Sequence, residues 1–136
     1  MKKIGLAAGL ITVALGATLA TSMTSTASAH HSFAAFNTTT EKTITGSVKQ
    51  VDWTNPHTWI WVDVANDKGS VDTFGFEGMS PNYLARRGWT KSTLKPGDKI
   101  SVKFRPMKDG SNGGMFMTAT LPTGQVVSMT GQPIDP

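Results

Sequence analysis

Residues 57–64, HTWIWVDV, alternate without a break between two kinds of side chain. Thr58, Ile60, Val62 and Val64 fall on one face of a strand, and His57, Trp59, Trp61 and Asp63 on the other. The same period runs through KISVKFR, which turns Ile100, Val102 and Phe104 to one side. It recurs in SVDTFGFEG, where Phe74 and Phe76 share a face. MFMTATL continues it, and the period puts Met115, Met117, Ala119 and Leu121 together. In TITGSVKQVDW, residues 43–53, alternation through Ile44, Gly46 and Val48 changes phase at Val51 and Trp53. A phase change inside one strand predicts a bulge or bend, with Gly46 as the soft point.

Turn residues separate these runs. NPH, NDKG, LKPGD, KDGSNGG and PTG carry the Gly, Pro, Asn and Asp that turns need, and Gly69 takes the hairpin position with positive φ. A short last strand, QVVSM, follows, and GQPIDP is expected to be a loose tail.

One segment reads as a helix. Ser80 suits the N-cap, Pro81 the first helical position and Gly88 the C′ position. Met79 and Leu84 have the spacing of a hydrophobic staple. Arg86 and Arg87 are expected in the last turn, against the negative end of the helix dipole.

Three strands, a helix and two or three more strands contain no βα alternation, so an all-parallel sheet does not fit. Strands of this length close most easily on themselves. The predicted fold is all-β: a small OB-like antiparallel barrel of five or six strands, with one short helix between strands 3 and 4. A small β-sandwich is the alternative.

The amino end has a different character. Lys2 and Lys3 precede the apolar run Ile4 to Ala20, a Ser/Thr stretch follows, and Ala27-Ser28-Ala29 has the small residues a signal peptidase accepts. The run is short for a membrane span and holds Gly5, Gly9 and Gly16. Residues 1–29 therefore read as a signal peptide and residues 30–136 as a single β-barrel domain, periplasmic or secreted, with no membrane span after cleavage. The formal charge is +4, and Lys2 and Lys3 supply two of those charges. The remainder is too small to suggest a nucleic-acid partner. There is no cysteine, which excludes disulfides, thiol catalysis and thiolate metal sites.

HHSFAAF, TGSVKQVDWTNPHTWIWVDV, FEGMSPNYLARRGWT and LKPGDKISVKFRPMKDGSNGG together resemble the DUF6152 family of small exported bacterial proteins. The resemblance spans nearly all of residues 30–136, and WTNPH and RRGWT are its most specific segments. It implies an exported single β-domain and supplies no activity.

The chemistry rests on three histidines, two of them adjacent at the expected cleavage site. Cleavage after Ala29 makes His30 the first residue, whose α-amine and imidazole chelate one ion. A further imidazole from His57 completes a three-nitrogen histidine brace, with His31 as a spare ligand. Nitrogen-rich tetragonal sites favour copper, so Cu(II) is the expected cofactor. Cleavage after Ala27 instead places His30 third, an amino-terminal motif that also takes Cu(II). The plain alternative is a free N-terminal end and a His57 that only hydrogen-bonds locally. Phe33 and Phe36 argue for a segment pinned to the barrel. Met115 and Met117 add sulfurs suited to Cu(I), although methionine in a strand is more often core filling.

The second candidate surface is aromatic. Trp53, Trp59, Trp61 and Asp63 are the candidate ligand-binding residues, because bases and sugars stack on the outer face of strands 2 and 3 in OB-folds. The competing view is that other parts of the chain cover Trp59 and Trp61. Asp52, Asp63, Asp72 and Glu77 make no recognisable carboxylate pair, and no catalytic signature occurs. The chain thus reads as a binding protein rather than an enzyme, with a copper oxidoreductase as the third option. Its expected partner is a metal ion, or else a small extracytoplasmic ligand or protein.

Overall fold

The computed structural model describes residues 31–130. The expected leader, His30 and the GQPIDP tail lie outside the described residues. Eight elements follow in order: α1 (His31–Ala34), β1 (Lys42–Asp52), β2 (Trp59–Ala65), β3 (Val71–Glu77), α2 (Pro81–Ala85), β4 (Lys99–Pro106), β5 (Gly113–Thr120) and β6 (Val126–Ser128). The strands form one sheet in the order β3-β2-β1-β4-β5-β6, and a β3–β5 pairing closes it. This is the expected OB-like barrel of five strands, with β6 added on the outer side of β5. All neighbours are antiparallel except the closing pair, which is parallel.

Closure depends on glycine. Gly75 pairs with Gly113, and Phe76 with Gly114. Gly113 has a φ of 139°, and a Cβ there would run into the Gly75 carbonyl. A Cβ on Gly114 would run into the Arg105 carbonyl. Only residues without a side chain let three strands meet this closely.

The core is the inner face read from the alternation. Ile60, Val62, Ile100, Val102 and Phe104 are buried, with Phe76, Phe116 and Ala119. Val64 is only partly buried against them. Each large apolar side chain withdrawn from water contributes about 1.5–3 kcal/mol. Phe76 and Phe104 pack with centroids 4.9 Å apart, and Trp89 meets Phe116 edge-on at 5.8 Å.

Two expectations about phase are corrected. In β1 the register shifts between Val48 and Gln50, so the bulge is at Lys49 and not at Gly46. Gly46 instead permits close approach, since a Cβ there would lie 2.8 Å from the Val62 side chain. In β5 the partner β4 shifts register between Lys103 and Phe104. Phe104 therefore pairs with Phe116 and Val102 with Ala119. Phe116 and Ala119 turn inward, Met115 is also buried in the apolar cluster, and Met115, Met117, Ala119 and Leu121 do not form one continuous face.

The helix starts as read. The Ser80 hydroxyl accepts from the Tyr83 N–H at 3.3 Å, and Pro81 is the first helical residue. It stops earlier than expected, at Ala85. Gly88, with φ 86°, turns the chain so that Trp89 N–H reaches the Leu84 carbonyl at 3.1 Å. Arg86 and Arg87 thus fall beyond the last turn. Arg87 lies over the Tyr83 ring, 3.6 Å from its centroid, and donates from Nε to the Thr130 carbonyl at 2.7 Å.

The N-terminal segment is docked. Phe36 is buried and bridges to Met107. Asn37 N–H donates to the Pro106 carbonyl and Lys108 N–H to the Ala35 carbonyl, both at 2.9 Å. Phe36 thus pins the segment, as expected, whereas Phe33 remains largely exposed.

Candidate functional site

His57 lies two residues before β2. Trp59 pairs with Glu77 across the β2–β3 hairpin. Paired residues project to the same side, so the Glu77 carboxylate stands diagonally from His57. Backbone bonds hold this corner: Thr58 N–H donates to the Met79 carbonyl at 3.0 Å, and Gly78 N–H to the Thr58 carbonyl at 2.8 Å. His57 Nδ1 contacts Glu77 Oε1 in a close ion-pair geometry. The Glu77 side chain is 12% exposed and that of His57 31%. An ionised carboxylate only accepts, so Nδ1 carries the proton. In the neutral ring, Nε2 is then the nitrogen able to ligate a metal.

His57 and Glu77 border a small cavity of about 70 Å³. Met79, Met115 and Met129 form more of its wall, and Phe33 and Phe36 bring the N-terminal segment to its edge. The topology explains the gathering. Met115 pairs with Glu77 across the parallel β3–β5 contact. Met79 follows β3 by two residues, and Met129 leaves β6 with its N–H bonded to the Met117 carbonyl at 2.9 Å. Met117 itself is not part of the cavity wall.

His31 is the first residue of α1. Through the chain from His31 to Phe36, the N-terminal segment reaches the cavity that His57 borders. Among the described residues, no three His, Cys, Asp or Glu side chains come together as a metal site. A metal at His57 therefore needs other donors, either N-terminal nitrogens or thioethers.

The aromatic face is built separately. The Trp59 and Trp61 rings stack with centroids 5.6 Å apart and planes 17° apart, and both are half-buried. The Trp61 ring covers Gly75, where a Cβ would lie 2.6 Å from its Cζ3. Its Nε1–H donates to Asp52 Oδ2 at 2.7 Å, and Gln50 Nε2 contacts the other Asp52 oxygen. Asp63 accepts from Thr73 Oγ1 at 2.6 Å and lies 3.7 Å from Lys49 Nζ. A shallow hollow of about 240 Å³ lies between Lys49, Asp52, Trp61 and Thr73. Trp53 is elsewhere, partly buried against the core. A larger groove of about 680 Å³, bordered by Arg87, Trp89, Lys95 and Gln125, has no histidine among the described residues that line it.

Glu77, Met79 and Met129 escaped the reading of the sequence as site residues. Glu77 had a usable signal, because the hairpin turn at Gly69 sets a register that places it opposite Trp59. The two methionines had none, since thioethers serve equally well as core filling.

No curated protein matches the chain. Among solved structures, it is similar to the mitochondrial single-stranded DNA-binding protein Rim1 of S. cerevisiae. The TM-score is 0.44 and the identity 10%, over 61% of this chain and 94% of that one. The model of a family described as a family of unknown function, DUF6152, matches residues 18–118, and the chain belongs to that family.

Proposed function

We propose that this is an exported small binding protein that takes up copper at its mature N-terminus. Cleavage after Ala29 frees the amine of His30, which with its own imidazole and that of His57 offers three nitrogens to Cu(II), His31 being the spare ligand. The observation that carries this reading is the shared cavity: residues of the docked N-terminal segment, Phe33 and Phe36, border the same hollow as His57. Glu77 adds the usual partner of a metal-binding histidine, a carboxylate on the nitrogen that does not ligate. A tetragonal set of nitrogen donors favours Cu(II), which also stands highest in the Irving–Williams order, and hard cations need oxygen ligands instead.

The test compares the parent, His57→Ala and a protein with one residue added before His30. Intact mass of the exported parent first reads the cleavage site. Cu(II) titration should then show weaker binding in both altered proteins, since the extension separates the amine from the His30 side chain. Equal affinity in all three refutes the brace. Loss in the extended protein alone indicates a terminal site that does not use His57.

A second reading has its own support. The stacked, half-buried Trp59 and Trp61 beside the hollow at Lys49 and Asp52 suit a planar or sugar-like extracytoplasmic ligand. Quenching of tryptophan fluorescence by such a ligand, absent in Trp61→Ala, is the expected sign.

A further inference from the structure

We infer that the cavity beside α1 is a site for a soft monovalent metal ion, Cu(I) or its analogue Ag(I), held by the thioethers of Met79, Met115 and Met129 and by His57 Nε2. This rests on the copper reading above for the identity of the metal. Its donors, apart from His57, are different.

The three methionines come from separate parts of the chain: the β3–α2 link, β5 and the residue after β6. Methionine that merely fills a core adapts to close gaps, because its side chain is unbranched and flexible. Here three of them border a hollow of about 70 Å³ instead of closing it. A cavity needs only about 10–15 Å³ to admit a water-sized guest, so one bare ion fits with room for its donors to adjust.

The donor chemistry selects the guest. Calcium and magnesium need several oxygens. Among the described residues, Glu77 is the only carboxylate on this wall, and it is engaged with His57. Zinc sites are made of thiolates, imidazoles and carboxylates, and the chain has no cysteine. Thioethers with an imidazole are soft donors, the set that favours Cu(I). The Glu77 contact at Nδ1 also orients the imidazole, as carboxylates do for metal-binding histidines elsewhere.

The test uses Ag(I), which needs no reductant, and Cu(I) under anaerobic conditions, each titrated against a competing chelator. The proteins are the parent, Met115→Leu, Met129→Leu and the double variant. Leucine keeps volume and apolarity, and thermal melting of the metal-free proteins checks folding. Each single change should weaken Ag(I) and Cu(I) by roughly tenfold or more, the double change by more again. X-ray absorption of the Cu(I)-loaded parent should show sulfur and nitrogen scatterers, and decides the matter even if a variant misfolds. Parent-like Ag(I) affinity in a folded double variant, or a sulfur-free spectrum, overturns the thioether site. If the N-terminally extended protein binds Cu(II) like the parent while the methionine variants lose Ag(I), the brace fails and the thioether site is supported.

Discussion

His57 and Glu77 meet at the corner where β2 begins and β3 ends, with Nδ1 against Oε1 and the carboxylate the more deeply buried of the two. Neither residue is core, and the strand pairing brings them together from opposite ends of a hairpin. The contact presents one imidazole nitrogen in a defined tautomer at the edge of a methionine-walled hollow.

Glu77→Gln is expected to weaken metal binding at His57 by about 10–100-fold, the usual cost of losing a carboxylate behind a ligating histidine. Glutamine keeps the size and can still accept a hydrogen bond, so the melting temperature of the metal-free protein should fall much less than the affinity. Competition titrations with Cu(II) and Ag(I), run beside the melts, check this. Unchanged affinity for both ions shows that Glu77 serves the fold and not the metal.

Phe36→Ala removes the buried ring that anchors the N-terminal segment. Truncating a buried Phe costs about 3–5 kcal/mol when the whole fold feels it. Here part of the loss should appear as local release of residues 31–40, seen as faster amide exchange there than in β2 or β4. Cu(II) affinity should fall in parallel, because the segment no longer docks beside His57. Full Cu(II) affinity with a released segment would mean that the terminal ligands act without the barrel.

Gly114→Ala should destabilise the barrel by about 3 kcal/mol or more, at the upper end for overpacking, because the new methyl meets the Arg105 backbone. Gly97→Ala provides a comparison. Nothing lies within 4 Å of a Cβ there, so its cost is only that of holding alanine at φ 94°, roughly 1–2 kcal/mol. Urea unfolding of the two variants should rank them in that order.

Trp61→Phe deletes the Nε1–H donor to Asp52 but keeps a ring over Gly75. Removing a hydrogen bond to a charged group costs about 1.5–3 kcal/mol, and less where water can replace it. A value at the low end is expected, since Asp52 keeps its contact with Gln50. Chemical denaturation measures the change, and a neutral result would show that water takes over the lost bond.

The strand alternation, the Ser80 cap, the left-handed turn at Gly88 and the element order were legible in the sequence, although the helix ends before its expected last turn. Each is a local matter, set by side-chain period, by one backbone angle or by a neighbour a few residues away. From these alone follow a small OB-like barrel, its helix between β3 and β4, and a core containing Ile60, Val62, Ile100, Val102 and Phe104. His57 was legible as a candidate ligand because so few histidines occur, and Phe36 as an anchor because an apolar ring has little place on a free end.

Tertiary structure decided the rest. The bulges at Lys49 and in the β4–β5 pair depend on partner strands, and a shift of one residue exchanges the faces. Phe116 therefore entered the core, and the expected face of Met115 and Met117 dissolved. The parallel β3–β5 contact arises only on closure, and it sets Met115 beside Glu77. Met79 and Met129, fifty residues apart in the chain, border one hollow because closure and the added strand β6 bring them there. No local pattern distinguishes a methionine that fills space from one whose sulfur faces a guest. That distinction lies in which other side chains surround it, and only the folded chain determines them.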